Sequence, residues 1–187
     1  MKKGLLIVGL ILVLGAGTVL AATTANTVIT AVINPGTLSV TAPASTSFTA
    51  VDLDAMPDTG TTTNATVSPV KIKDHRSGVA AGWSVTMTST NLESGAGTIP
   101  VTNLDVTPGD ITAVGNSSLT GVSKGSQHTF TGTSDPASLA VATSSNGRGR
   151  YNQDEIMALF VDISTAPGTY NATSTVTIAM LDHDSVN

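Results

Sequence analysis

Cysteine is absent from this sequence. Without it no disulfide can staple the fold and no lipid can be carried on a lipoprotein-type cysteine, so packing alone must hold the chain together. Charge is scarce as well: Asp, Glu, Lys and Arg make up 11% of the residues, where an ordinary soluble domain carries about 25%. The balance is acidic, with a formal net charge of -5. Beyond Lys3 the cations are Lys71, Lys73, Arg76, Lys124, Arg148 and Arg150. Nucleic acid, which asks for a basic face, is not an expected partner. Helical periodicity is also missing beyond the first segment, since no stretch sustains apolar residues at i, i+3, i+4 and i+7. What the chain has in quantity is Thr, Ser, Ala, Val and Gly, a neutral and hydroxyl-rich composition suited to a surface outside the cell.

The one long apolar run stands at the start. Met1-Lys2-Lys3 is a short cationic head, Gly4 to Leu20 is apolar apart from Thr18, and Val19-Leu20-Ala21 sets small or β-branched side chains where a signal peptidase reads. Residues 1–21 are therefore expected to be a secretory signal peptide, with cleavage after Ala22 as the near alternative. An uncleaved anchor fits less well, because crossing a bilayer takes about 20 apolar residues and this core is shorter and interrupted by glycine. A prepilin leader cut at Lys3-Gly4 would carry an acidic residue where Gly9 stands. Export places the protein outside the cytoplasm, at the cell surface, touching the membrane only through the transient leader. About 165 residues then remain, enough for one domain over residues 22–187.

That domain reads as all-β. Thr27 to Ile33 is a first strand candidate, stopped by Asn34-Pro35-Gly36, and Thr37 to Thr41 is a second. Asp52 to Asn64, acidic and with Pro57, Gly60 and a threonine run, reads as a loop. Ala65 to Lys73 alternates without strict phase, with Pro69 marking an edge or a bulge. Gly82 to Thr88 is a clean period-2 strand with Trp83, Val85 and Met87 on one face. Glu93 to Ser126 reads as a long connection with one or two short strands, near Ile99–Val106 and Ile111–Val114. Glu155 to Ile163 and Thr169 to Met180 are the late strands, and Ser164 to Gly168 between them is a hairpin-turn candidate. Several short strands, Gly/Pro-rich turns and no helices predict a single antiparallel β-sandwich of the jelly-roll or Ig-like kind.

A resemblance follows from the order of several segments. Gly36-Thr37-Leu38-Ser39-Val40 with Pro43 and Phe48, then Val70 to Gly78 containing Asp74-His75-Arg76-Ser77, then Ala81-Gly82-Trp83-Ser84-Val85, together resemble a WxL domain. Gly147-Arg148-Gly149-Arg150-Tyr151 and Ala166-Pro167-Gly168-Thr169-Tyr170 continue the likeness, which runs from about Thr27 to Leu181. The member would be divergent, with Val85 in place of leucine and no tryptophan at Val176-Thr177-Ile178. The resemblance implies a secreted β-sandwich held non-covalently on the bacterial cell wall, through peptidoglycan or beside other surface proteins. The residues agree from another direction, since no lipid-bearing cysteine or sorting-type ending after Leu181 is visible as a covalent tether.

The candidate binding residues are Trp83, Asp74 and Arg76. Trp83 is the only tryptophan, and a planar ring can stack on a sugar face, yet its phase with Val85 and Met87 points it into the core. Arg76 in the Asp74–Gly78 turn offers planar bidentate donors to a peptide-stem carboxylate; the competing role is an Asp74–Arg76 pair that fixes the strand connection. Asp52, Asp54 and Asp58, Asp154 with Glu155, and Asp182 with Asp184 lack calcium-loop spacing. His75, His128 and His183 are too scattered for a metal site. Gly121-Val122-Ser123-Lys124-Gly125 has the letters of a hydrolase nucleophile elbow but sits in what reads as a polar loop, with no helix after it. No metal, cofactor or catalytic residue is expected. The expected function is a non-enzymatic surface protein bound to peptidoglycan or to partner surface proteins; the alternative is a subunit that pairs strand edges between copies to build a layer or fibre.

Overall fold

Short β-branched stretches punctuated by Gly, Pro and Asn become antiparallel strands in this chain. The computed structural model describes residues 30–77 and 81–181. The chain divides into two units, Met1–Ile33 and Asn34–Asn187, and among the described residues every strand lies in the second. The leader, its cleavage site, Gly78 and the Asp182–Asp184 group lie outside the described residues.

The strands are β1 (Leu38–Thr41), β2 (Thr61–Asp74), β3 (Trp83–Ser89), β4 (Leu92–Ser94), β5 (Gly97–Ile99), β6 (Leu104–Pro108), β7 (Thr112–Ala113), β8 (Val122–Lys124), β9 (His128–Thr129), β10 (Ala137–Ala142), β11 (Gly149–Val161) and β12 (Ser174–Met180). Two single-turn 3-10 segments, Leu53–Ala55 and Val101–Asn103, interrupt them. One sheet runs β1-β2-β11-β6-β9 with β7 also on β11; the other runs β12-β3-β10-β8; β4 and β5 form a separate ribbon. All pairings are antiparallel. Inward residues of both sheets, among them Ile72, Tyr151 and Leu159 from one and Trp83, Met87 and Leu139 from the other, form one continuous core. The expected β-sandwich is therefore the observed architecture.

Strand β3 buries every second residue from Trp83 to Ser89, as its alternation predicts. The uneven phase of β2 also has a cause. Val67 faces Glu155 while Val70 faces Gln153, so Ser68 and Pro69 together oppose Asp154 alone. This bulge shifts the buried set from Ala65 and Val67 to Val70, Ile72 and Asp74. Pro69 also lies beyond the reach of β1, which pairs only with Lys71 to Asp74, so its missing N–H breaks no ladder.

Several expectations need correction, and the late strands run Gly149–Val161 and Ser174–Met180 rather than Glu155–Ile163 and Thr169–Met180. Residues 30–33 of the first strand candidate are not in a strand, and its other residues lie outside the described range. The expected loop ends early, because the threonine run from Thr61 opens β2, where β-branched side chains pair with Phe160 and Val161 across the sheet. The stretch from Glu93 to Ser126 holds more strand than expected, including β5, β6, β7 and β8. Finally, Ser164–Gly168 closes no hairpin: β11 and β12 belong to different sheets, so this segment carries the chain across the sandwich. A Pro-Gly turn reverses direction equally well in either case.

Candidate functional site

Asp74 ends β2 and is wholly buried. Arg76 meets its carboxylate as a fork, with Nε donating to Oδ1 at 2.9 Å and Nη2 to Oδ2 at 2.7 Å. The Arg76 backbone N–H adds a third bond to Oδ1 at 3.1 Å. Nη2 also donates to the Ala81 carbonyl at 2.6 Å, so one guanidinium ties the end of β2 to the approach of β3. Burial by itself would raise the Asp74 carboxyl. The Arg76 hydrogen bonds and charge, helped by Arg148, outweigh it and hold the group below the ordinary aspartate value. The same contacts raise Arg76, whose side chain is 17% exposed.

Trp83 opens β3 with no exposed surface. Its Nε1 donates to the Gly147 carbonyl at 2.9 Å, and its ring lies 5.9 Å from that of Tyr151 at 50°. Gly147 has φ +79°, and a Cβ there would stand 2.5 Å from Trp83 Nε1, so only glycine lets the backbone approach the indole. The Tyr151 hydroxyl reaches the Ser118 and Arg148 carbonyls at 2.9 and 3.0 Å. Gly149 is the register partner of Asp74, which places Gly147–Tyr151 beside the Asp74–Arg76 pair. Segments far apart in sequence thus meet in one buried knot at the end of the sandwich. The three candidate binding residues are all in it, in the packing and turn-fixing roles that the sequence offered beside ligand contact.

The other singled-out groups are engaged locally. Asp52 accepts from the Asp54 N–H at 3.1 Å, and Asp154 accepts from Ser68 Oγ at 2.6 Å. His128 Nε2 lies 3.0 Å from Asp135 Oδ2. Lys124 pairs with Asp110 at 2.6 Å on the surface. Among the described residues no three His, Asp or Glu side chains are grouped to hold a metal ion, and no helix is long and apolar enough to cross a membrane. Ser123 lies in strand β8 rather than in the loop expected for it; β8 pairs with β10, and no helix follows.

Two buried polar side chains were not singled out as a pair from the sequence. Gln153 and Glu155 point inward from β11 between Tyr151 and Met157. Gln153 Nε2 donates to the Gly109 and Leu139 carbonyls, each at 3.0 Å, while its Oε1 and both Glu155 carboxyl oxygens have no protein partner. Burial, with the nearby Asp154 charge, pushes the Glu155 pKa up to about 8. The signal was available: period two places Glu155 on the face of Met157 and Leu159.

The least finished part of the sandwich is the seam beside β12. A cavity of about 650 Å³ opens there between the sheets. Its floor includes the core side chains Met87, Leu104, Met157 and Leu159, and its rims are the irregular segments 42–51 and 165–173. Segment 42–51 lies along the first half of β2 with only scattered bonds, such as Thr46 Oγ1 to the Thr66 carbonyl at 2.8 Å and the Thr49 N–H to the Asn64 carbonyl at 3.3 Å. On the other rim β12 is paired to β3 alone. Every β12 residue is exposed or half-buried, Val176 and Ile178 being the two that touch the core.

The end strands of the two main sheet paths differ. Strand β1 has four residues with Pro43 just beyond, β9 has two, and β8 has three ending on Lys124. Each is short, and two carry the residue types that discourage pairing. Strand β12 has seven residues, Ser-Thr-Val-Thr-Ile-Ala-Met, with no charge, proline or glycine. It is a long, neutral edge hydrogen-bonded to β3 alone, with β1 of the other sheet lying near it. Compared with protein families, with curated proteins and with solved structures, the chain finds no match in any of the three.

Proposed function

We propose that this is an exported, non-enzymatic surface protein whose sandwich serves as a structural subunit, joining copies through strand edges. The observation that carries this reading is β12, a seven-residue uncharged edge paired on one side only and flanking a gap between the sheets. The neutral, hydroxyl-rich composition and the leader-like start at Met1 to Ala21 agree with work outside the cytoplasm. Sedimentation of the processed protein over a concentration series tests the reading. Concentration-dependent polymers are expected; a monomer at every concentration would overturn it.

Attachment to the wall polymer is the second reading. It is supported by the WxL-like order of segments, because those segments converge in the knot of Asp74, Arg76, Trp83 and Tyr151 instead of being scattered. A pull-down on purified peptidoglycan separates the two. A monomer that sediments with the wall favours attachment, whereas polymers without wall affinity favour assembly.

A further inference from the structure

Strand pairing accounts for the edge of β12 but not for the cavity of about 650 Å³ beside it. That volume lies within the range of small-molecule sites, about 300–1,000 Å³. Its surfaces sort by depth. The floor holds Met87, Leu104, Met157 and Leu159, all buried in the core. Half-buried Phe48 and Val51 stand on one side of it, half-buried Tyr170 and Val176 on the other. Hydroxyl and amide side chains, among them Ser45, Ser47, Thr169, Asn171 and Thr173, occupy the exposed rims. Two methionines in the floor, unbranched and with several rotatable bonds each, let it adjust to what lies on it.

Several lining hydroxyls are already committed within the protein. Thr63 Oγ1 donates to the Thr49 carbonyl at 2.6 Å, Ser174 Oγ to Ser89 Oγ at 3.0 Å, Ser89 Oγ to the Thr90 carbonyl at 3.3 Å and the Tyr170 hydroxyl to the Ala166 carbonyl at 2.8 Å. A sugar or a peptide pressed onto the aliphatic floor would give up hydrogen bonds to water and find few in return. An aliphatic chain gives up none and gains by leaving water. Charge narrows the ligand further. No residue lining the cavity is Asp, Glu, Lys, Arg or His. The charged residues next to the lining in sequence, Asp52, Asp54, Glu93, Asp105 and Asp162, are all acidic. None of these groups is a cation that could receive a carboxylate or phosphate head.

We propose that this cavity binds the aliphatic chain of a monomeric, uncharged amphiphile, such as a monoacylglycerol or a fatty alcohol. The chain lies on the floor between Phe48 and Val176, and the hydroxyl head stays at the Ser/Thr-rich rim. A bilayer is not the source, because acidic surroundings are not drawn to an anionic lipid surface. The inference goes beyond the subunit reading and does not rest on it: strand pairing uses the backbone edge of β12, whereas the cavity uses side chains that β12 turns inward.

Dilute processed protein, purified without detergent, is titrated with monolauroylglycerol below its micellar concentration, and binding is read by calorimetry and by the rise in Tm. Saturation at a single chain per protein molecule and a raised Tm are expected. Val176→Asp sets a charge on the wall, and Ser174→Phe, two residues away on the same side of β12, fills space in the cavity without adding charge. Each should weaken binding about tenfold or more, with unchanged fluorescence of buried Trp83 reporting an intact fold. Ile156→Asp, on the exposed face of β11 and outside the cavity, should leave binding as it was. Two further arms test head group and source: laurate should bind about tenfold more weakly, and vesicles of neutral or anionic lipid should not retain the protein. No binding, equal binding by all three variants, a preference for laurate, or capture by vesicles would each overturn the proposal. Protein that binds the chain yet never polymerises would sink the subunit reading alone, and polymers without affinity for the chain would sink this inference alone.

Discussion

Replacing Glu155 with glutamine should flatten the dependence of stability on pH. The carboxyl is wholly buried with neither oxygen paired in the protein, and its pKa is pushed from the usual 4.5 to about 8. Below pH 4.5 the group is protonated in both folded and unfolded chains and contributes no pH dependence. Between 4.5 and 8 the unfolded chain gives up this proton while the folded chain keeps it, so folding stability falls as pH rises. The shift spans 3.5 pH units (8 minus 4.5), which at 1.36 kcal/mol per unit sets an upper bound of about 5 kcal/mol. Asp74, Asp110, Asp135 and Asp162 are held low, so the stability they contribute is lost only on acidification, through values below 3.8. The difference between Glu155→Gln and the unaltered protein therefore isolates Glu155. Urea titrations at half-unit steps from pH 4 to 8.5, read by the fluorescence of the sole tryptophan, measure it. The variant should gain on the unaltered protein steadily as pH rises. Parallel profiles would refute the reasoning and mean that water or a local opening solvates the carboxylate.

Arg76→Ala leaves the Asp74 carboxylate buried without its fork and should cost about 3–5 kcal/mol, whereas Asp74→Asn combined with Arg76→Leu should cost less; chemical denaturation of the three variants checks the order. Trp83→Ala should cost about 3–5 kcal/mol through the cavity it opens, and Trp83→Phe a smaller amount through the lost donor to the Gly147 carbonyl. Thermal melting by circular dichroism reads both, and a Trp83→Ala protein with an unchanged Tm would contradict a core role.

Much of the local structure was legible. Alternation in Trp83–Ser89 announced both a strand and its buried face, because neighbouring side chains on a strand point opposite ways whatever the rest of the chain does. Pro69 announced a break in the ladder, since proline has no N–H to give. Strand β10 was not legible. Its sequence, Ala-Ser-Leu-Ala-Val-Ala, mixes small residues, and a register shift between Ser138 and Ala140 puts Leu139 and Ala140 both inside, which erases the period. The knot was half legible: the turn residues Asp74 and Arg76 stood close in sequence, but Gly147 and Tyr151 come to Trp83 only through β11.

By itself the sequence determined what depends on neighbours along the chain: the all-β class, most turns, the inward face of β3, and stability without disulfides. Tertiary structure decided what depends on partners distant in sequence. It put β11 and β12 in different sheets, sealed Asp74 against Arg76, left Glu155 without a partner, and paired β12 on one side only. The physical reason is one of range. Backbone preference and side-chain alternation act over a few residues, whereas burial and strand pairing are properties of the assembled sheets, and the same β-branched heptapeptide can be an inner strand or an edge according to what lies beside it.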